Sequence, residues 1–491
     1  MVDLLPSPAP PRTAPSADPV PAADPVPAAD PARAADAPAP HAAADAPGPL
    51  AVSVIGCGYL GAVHAASLAQ IGHRVIGLDV DAERIGALAA GRAPFHEPGF
   101  SEVLARGVEQ GRLSFTADPA DLADCDVHFL ALGTPQREDG LGADLRYIDA
   151  ALDALEPHLR SRAGRPTLVV GKSTVPVGTA RVIAQRLAPI PDVHLVWNPE
   201  FLREGFAVAD TLRPDRLVYG VAEPTGADAA VAVGLLDAVH RPLLEAGVPR
   251  LVVNYESAEL VKVSANSFLA TKISFINAIA ELCDITGADV SDVAEAIGMD
   301  DRIGPKFLRA GIGFGGGCLP KDLRGLISRA GELGAVDSFA FLREIDAINT
   351  GRREYALRLA RRALDGRLEG RRVAVLGAAF KPDTDDVRDS PALDIALRLH
   401  GEGADVRLAD PAALPGVRRR YPSLPTADTA EDALRGAELV LLLTEWPEYR
   451  ALDPVRARVL VSRPVIIDGR GVLDLDSWRD AGWDALGLGR R

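Results

Sequence analysis

The chain has 491 residues, 47% of them hydrophobic, enough to build two or three domains of ~100–200 residues with real cores. Its 53 basic and 68 acidic residues leave a formal charge of −15, which excludes a general basic field for nucleic acid or an anionic membrane surface. Any anionic ligand must therefore be held by a local pocket.

Of the 53 basic residues only six are lysines, at 172, 262, 272, 306, 321 and 381, and the chain holds only five asparagines, Asn198, Asn254, Asn266, Asn277 and Asn349. Such scarcity suggests drift against certain codons, so that a surviving Lys marks a place where Arg cannot supply a compact charge or a proton that leaves. The four cysteines, Cys57, Cys125, Cys283 and Cys318, lie far apart with no C-x-x-C pair and no His cluster. Neither a disulfide framework nor a metal site is expected, and free thiols in a reducing, cytoplasmic setting fit best. No apolar run approaches the ~18 residues of a membrane span, and no signal-peptide pattern opens the chain.

Residues 1–49 are dominated by Pro and Ala, with Ala-Asp-Pro-Val-Pro-Ala at 17–22 repeated at 23–28. Such a segment cannot build a core and reads as a disordered tail, either passive or a partner arm. Order begins at Leu50, where LAVSVIG reads as a buried parallel strand entering a glycine turn. The apolar runs 74–79, 127–132, 167–171 and 193–197 continue a doubly wound α/β sheet over residues 50–240. Residues 256–283 contain no Gly or Pro and carry apolar side chains on more than one face, predicting a long helix buried in a central helical domain, 241–350, or between subunits. The runs 371–377, 404–409, 438–444 and 464–468 then alternate with helical patterns again, so that 351–491 reads as a second Rossmann-like domain. The fold class is α/β, two Rossmann-like domains joined by a helical one.

Gly56-Cys-Gly58-Tyr59-Leu60-Gly61 follows the first strand directly and opens a helix, with Asp79 at the end of the next strand. Gly56 permits the tight turn, Gly58 lets a pyrophosphate approach the helix N-terminus, and Gly61 lets helix pack on strand. Asp79 can accept both ribose hydroxyls and repels a 2′-phosphate, favouring NAD over NADP, with FAD or a vestigial site as the alternatives. The second sheet opens with Gly377-Ala-Ala-Phe-Lys381, lacks that spacing, and suggests a different ligand.

Gly313-Phe-Gly-Gly-Gly-Cys318-Leu-Pro320-Lys321-Asp322 places a thiol at a helix N-terminus beside a lysine, both of which lower a thiol pKa and favour the nucleophilic thiolate. A Cys at a glycine turn is otherwise packing material, but the glycine run, the Lys and the Asp argue for chemistry. Lys262 and Asn266 lie four apart and share a helix face, either as a core Lys with a carboxylate partner or as a pair aimed at a developing oxyanion. Glu200 and Glu204, in WNPEFLREG after an apolar strand, either cap a helix or serve to activate water and hold a ligand hydroxyl. The KSTVPVGT segment offers further hydroxyls at a strand end.

Taken together, GCGYLG, LGTP, KSTVPVGT, NPEFLREG, ELVKVSANSFLATKISFINAIAEL, GFGGGCLPKD, FKPDTDDVRDSP and DGR resemble the motifs of the UDP-glucose/GDP-mannose dehydrogenase family, in family order from about 51 to 478. The resemblance implies NAD-dependent four-electron oxidation of UDP-glucose to UDP-glucuronate through a Cys thiohemiacetal and thioester, with GDP-mannose or another nucleotide-sugar as the alternative substrate. It implies Cys318 as nucleophile, Lys262 with Asn266 for the oxyanion, Asp322 acting through water as base, and Glu200 with Thr174 directing water at the thioester. Around NAD it implies the glycine turn with Tyr59 and Leu60, then Asp79, Arg84, Thr134, Glu204, Lys321 and Arg388. For the nucleotide-sugar it implies Glu200, Phe201, Leu202, Arg203 and Glu204, the pair Lys262 and Asn266, the loop from Phe307 through Gly311 to Gly315, and Lys381. Arg302 and Arg470 resemble residues that reach substrate near a subunit boundary, in a homodimer or higher homo-oligomer. Gly317 departs from the Ser that many members carry there. The rival readings are a two-electron dehydrogenase that needs no thiol and a non-catalytic nucleotide-sensing protein.

Overall fold

The computed structural model describes residues 48–160 and 166–490; the tail expected over 1–49 lies outside them save its last two residues. The first sheet comprises β1 (Ala51–Ile55), β2 (Arg74–Leu78), β3 (Leu113–Thr116), β4 (Val127–Leu130), β5 (Thr167–Gly171), β6 (Val193–Trp197), β7 (Leu217–Val221) and β8 (Arg250–Asn254). They are arranged β3-β2-β1-β4-β5-β6-β7-β8. All residues of β1, β4 and β5 are buried, because helices cover both faces, which is why these strands read as unbroken apolar runs. Three strands escape the sequence reading. LSFT at β3 is short and half polar. β7 and β8 lie past the runs that the sequence marks out, and β8 lies beyond residue 240. β7 meets β6 antiparallel, with Trp197 opposite Gly220, and β8 then pairs parallel to β7.

The long helix runs from Tyr255 to Thr286, with Asn254 as N-cap accepting from Ser257 N and Gly287 in the left-handed conformation at its end. Its buried face carries Glu259, Lys262, Asn266 and Asn277 and packs against the helices Leu319–Glu332 and Ala340–Ala363. Burial is one-sided: Phe268, Phe275 and Leu282, seven residues apart, are 67%, 51% and 56% exposed. The second sheet, β9 (Arg372–Leu376), β10 (Asp405–Ala409), β11 (Leu439–Leu442), β12 (Val465–Asp468) and β13 (Asp484–Gly487), is parallel throughout in the order β10-β9-β11-β12-β13. Its last strand, DALG, is too short and mixed to be read from pattern. Among the described residues no helix is long and apolar enough to cross a membrane.

The C-terminal ends of β5 and β6 deliver the two segments of greatest chemical interest. They are locked together by Trp197, 1% exposed, whose ring lies over Gly171; a Cβ added at Gly171 would stand 2.0 Å from that ring. Gly171→Ala is therefore expected to destabilise the protein by about 1–3 kcal/mol through overpacking. Denaturant unfolding would read this, and an unchanged midpoint would show that the sheet relaxes around the added methyl.

Candidate active site

The glycine turn is built as its spacing demands. Gly56 has φ +92°, and a Cβ at Gly61 would fall 1.8 Å from the Gly56 carbonyl oxygen, whereas one at Gly58 would meet nothing within 4 Å. The helix Tyr59–Gln70 starts there with no side-chain cap, so its first amides, including those of Tyr59 and Leu60, face an open approach and form an anion site. At the end of β2, Asp79 accepts from Cys57 N at 2.8 Å, from Asp81 N at 3.0 Å and from Arg84 at 3.0 Å. An uncapped helix end beside an open glycine, with a carboxylate one strand over, fits NAD. At the corresponding turn of the second sheet Gly377 has φ +113°, and the amides of Ala378 and Ala379 both donate to Asp410, at 2.7 and 2.9 Å. That turn spends its donors internally, which agrees with its lack of glycine spacing.

Cys318 is the N-cap of the helix Leu319–Glu332, with Pro320 in its first turn, and it alone of the four cysteines is exposed. Solvent reaches the thiol, yet protein crowds most of its surroundings. This overturns the expectation of a lowered thiol pKa: burial, followed by Glu200, Asp322 and Glu204, pushes the thiol up to about 12, and Lys262 only partly opposes them. The helix end and the lysine are present, but three carboxylates and desolvation outweigh them.

These groups form interleaved pairs. Lys262, 5% exposed, reaches Glu200 Oε1 at 2.9 Å. Burial works against its charge, but Glu200, Asp322 and Cys318 together hold its pKa above the usual lysine value. Both readings of Lys262 therefore meet: it has a carboxylate partner and it faces the thiol. Asn266 donates to Asp322 Oδ2 at 2.6 Å, and Lys321 donates to Asp322 Oδ1 at 2.7 Å and lies 3.3 Å from Thr134 Oγ. The Thr134 hydroxyl in turn donates to the Thr174 carbonyl at 2.7 Å. Glu200 also accepts from Leu202 N at 2.8 Å, fixing its carboxylate over its own loop. Glu204 is buried and faces Arg388 at 3.2 Å; burial and then Asp386 raise its pKa against the pull of Arg388 and Lys381. Its Oε2 is buried with no hydrogen-bond partner among the described residues. Burial lowers the pKa of Lys381, while Glu204 and Cys318 act against that shift. Cys318, Lys262, Asn266, Asp322, Glu200, Glu204, Lys321 and Arg388 thus share one cleft.

The loop leading to the thiol is held by backbone contacts. Gly313, φ +95°, lies so close to Asn349 that a Cβ would stand 2.6 Å from its Oδ1, and one at Gly315 would stand 2.3 Å from the Asp389 carbonyl oxygen. Gly317 carries the Arg388 guanidinium where a side chain would be, 2.5 Å from an added Cβ. Phe307 is exposed, with φ +63°. Three residues expected at the ligand have partners within the chain. Arg470 donates to the carbonyls of Leu443, Gly313 and Phe380 at 2.7, 3.0 and 2.9 Å, tying the glycine loop to the second sheet. Arg302 is exposed and pairs with Asp300 at 2.6 Å. Arg203 is also exposed, paired with Asp210 at 2.7 Å, while Phe201 stacks under Arg216 at 3.9 Å.

Several supporting residues were not singled out from sequence. Lys172 donates to Asn198 Oδ1 at 2.9 Å, and Asn198 donates to Val218 O at 3.0 Å, pinning the turn that carries Glu200. Asn277 accepts from Gly311 N at 2.8 Å, and Asn349 accepts from Phe314 N at 2.7 Å and donates to Phe314 O at 3.0 Å. The scarcity of Lys and Asn was the signal available.

Family models match three consecutive parts of the chain: the NAD binding domain of the UDP-glucose/GDP-mannose dehydrogenase family at 50–242, its central domain at 256–351 and its UDP binding domain at 374–475. A UDP-glucose 6-dehydrogenase of Rhizobium meliloti (strain 1021) is 40% identical over 444 residues, 89% of this chain and 99% of the relative. UDP-glucose 6-dehydrogenase YwqF of Bacillus subtilis (strain 168) is 38% identical over 446 residues, 90% and 98% of the two chains. The solved structure of a UDP-glucose dehydrogenase from the archaeon Pyrobaculum islandicum superposes with a TM-score of 0.82 at 38% identity, covering 91% of this chain and 100% of that one.

With a pKa of about 12, the Cys318 thiolate fraction should rise about tenfold per pH unit through the neutral range. Iodoacetamide labelling of the Cys318 peptide, followed by mass spectrometry from pH 7 to 10, is expected to accelerate without a plateau. Glu200→Gln should raise the rate at pH 8 about three- to tenfold by removing one neighbouring charge. A plateau near pH 8 would show a thiol that the site acidifies.

Proposed function

Because the chain belongs to the UDP-glucose/GDP-mannose dehydrogenase family, we propose that it oxidises the C6 alcohol of UDP-glucose to the carboxylate, forming UDP-glucuronate with two equivalents of NAD. The observation that carries this reading is the exposed Cys318 set among Lys262, Glu200 and Asp322. A dehydrogenase that stops at the aldehyde has no use for such a thiol. NAD, when bound, would supply the acceptor for the two hydrides that leave C6, the hydroxyl proton of the first oxidation passing through water to Asp322 and on to solvent. Cys318 attacks the aldehyde carbon, its proton passing through water to Asp322, and the new C6 oxyanion is met by the Lys262 ammonium and the Asn266 amide. Loss of the second hydride leaves a thioester. Glu200, helped by Thr174, takes a proton from the water that attacks it, and Cys318 departs as the thiolate, recovering its proton through water from Asp322 as the carboxylate forms. A neutral resting thiol suits this order, since its proton leaves through water to Asp322 as the sulfur–carbon bond forms.

The nucleotide-sugar is assigned to the segment 200–204, the loop 307–315 and Lys381, between a cofactor domain, a helical domain and a UDP-binding domain. The exposed row Phe268, Phe275 and Leu282 on the long helix supports a homodimer through that face, since a row of this size is costly to leave in water. Free cysteines throughout support a reducing, cytoplasmic setting.

Purified protein given limiting UDP-glucose and excess NAD should yield two NADH per sugar by absorbance, and Cys318→Ser should lose at least about 10³-fold in turnover or trap an acyl-enzyme. One NADH per sugar would end the four-electron reading, and faster turnover of GDP-mannose or a UDP-N-acetyl sugar would reassign the substrate. Light scattering should give a dimer mass, which Phe268→Asp with Phe275→Asp should convert to a monomer.

A further inference from the structure

Between the helices Ala82–Ala89 and Phe100–Glu109 lies a segment, 93–99, that no motif brought forward. Its Glu97 is 5% exposed and has no cationic partner within salt-bridge distance among the described pairs. Instead its carboxylate collects three donors from two places. Oε2 accepts from the Tyr59 hydroxyl and from Gly205 N at 2.6 Å, and Oε1 accepts from Ala207 N at 2.7 Å. The Gly205 amide also lies 3.1 Å from the Tyr59 oxygen. Tyr59 stands inside the glycine turn of the cofactor site. Gly205 directly follows Glu204, in the loop that carries Glu200. A buried carboxylate with several N–H and O–H donors is strongly bound, and removing it strands each donor.

The rest of the segment fixes Glu97 in place. Phe95 packs against Tyr59 with ring centroids 4.8 Å apart and stacks on Phe100 at 5.0 Å. His96 lies near Asp385 of the C-terminal domain and opposes the rise in its pKa that burial causes. On the far side, Gly205 has Asp383 so near that a Cβ would stand 3.1 Å from the Asp383 side chain. Displacement of the turn at Tyr59 is therefore passed to the loop at Gly205 through one rigid carboxylate.

We infer that Glu97 is a positioning residue that sets the register between the cofactor turn and the substrate loop, so that occupancy of each half alters the affinity of the other. This rests on the dehydrogenase reading above. Such coupling is reciprocal and, for a direct hydrogen-bonded connection, about fivefold or more.

The test uses the full chain and NADH, which with UDP-glucose forms a ternary complex that cannot turn over. NADH fluorescence titrations with and without saturating UDP-glucose give the coupling factor. In the unsubstituted protein it should be about fivefold or more. In Glu97→Gln, where an amide NH2 must face Gly205 N or Ala207 N, the factor should fall to within twofold of one while each ligand alone binds within threefold of its former affinity. Tyr59→Phe, which keeps both backbone donors, should lose part of the coupling and decides the matter should Glu97→Gln not fold. Coupling unchanged in the variants, absent in the unsubstituted protein, or accompanied by more than tenfold loss of either ligand alone would overturn the inference. Unsubstituted protein that binds NADH but no nucleotide-sugar would instead sink the functional reading, and the inference with it.

Discussion

The thiol is where it is because five of the seven residues before it, 311–317, are glycines. Residues 311–317 pass between Asn349, Asp389, Phe380 and Arg388 at distances that leave no room for a Cβ at Gly313, Gly315, Gly316 or Gly317. The contacts that hold the loop are bonds to its backbone, from Asn277, Asn349, Arg352 and Arg470. Those four side chains come from the long helix, the helix Ala340–Ala363 and the end of β12. Three parts of the structure thus agree on one backbone path, and the position of Cys318 follows from that agreement.

Charge in the cleft is arranged by alternation. Glu200 meets Lys262, Lys321 meets Asp322, and Glu204 meets Arg388, so that a protein of net charge −15 presents cations at chosen points to an anionic ligand. The same alternation sets the state of the thiol. With carboxylates on three sides and burial added, the neutral form wins despite the helix terminus beneath it, because a helix end contributes only about half a charge. Local motif arguments for thiol activation fail here for a definite reason: they count the nearest cation and omit carboxylates brought in from a distant strand end.

Much of the fold and site was legible in the residues, and what was not has physical causes. Apolar runs buried on both faces gave the central strands of each sheet, while β3, β8 and β13, which are mixed or at a sheet edge, carry little pattern to distinguish them from loops; β7, LVYGV, is a fully buried apolar run that was legible and passed over. The glycine turn, Cys318, Lys262 with Asn266, and the Glu200 loop stand together in the structure. The scarce asparagines proved more informative than their composition suggested. Asn254 caps the long helix, Asn198 holds Lys172, Asn266 holds Asp322, and Asn277 and Asn349 hold the glycine loop. The carbonyl partners of Arg470 were not legible, because its motif is silent about which backbone surrounds it. Glu97 was invisible because its partners are two backbone amides and a tyrosine 38 residues away.

One joint in the chain has mechanical meaning. Asn254 is both the last residue of β8 and the N-cap of the helix that starts at Tyr255, so no residue is left between sheet and helix to absorb a change of φ and ψ. The first sheet and the long helix must pivot as a single stiff arm. Hinge motion needs a few residues free of regular structure, and between the helix ending at Ala363 and β9 starting at Arg372 the chain has them. Any relative motion of the two sheets would find its free dihedrals in residues 364–371, with Lys262 and Asn266 on the long helix that leaves the first sheet and Lys381 on the second sheet.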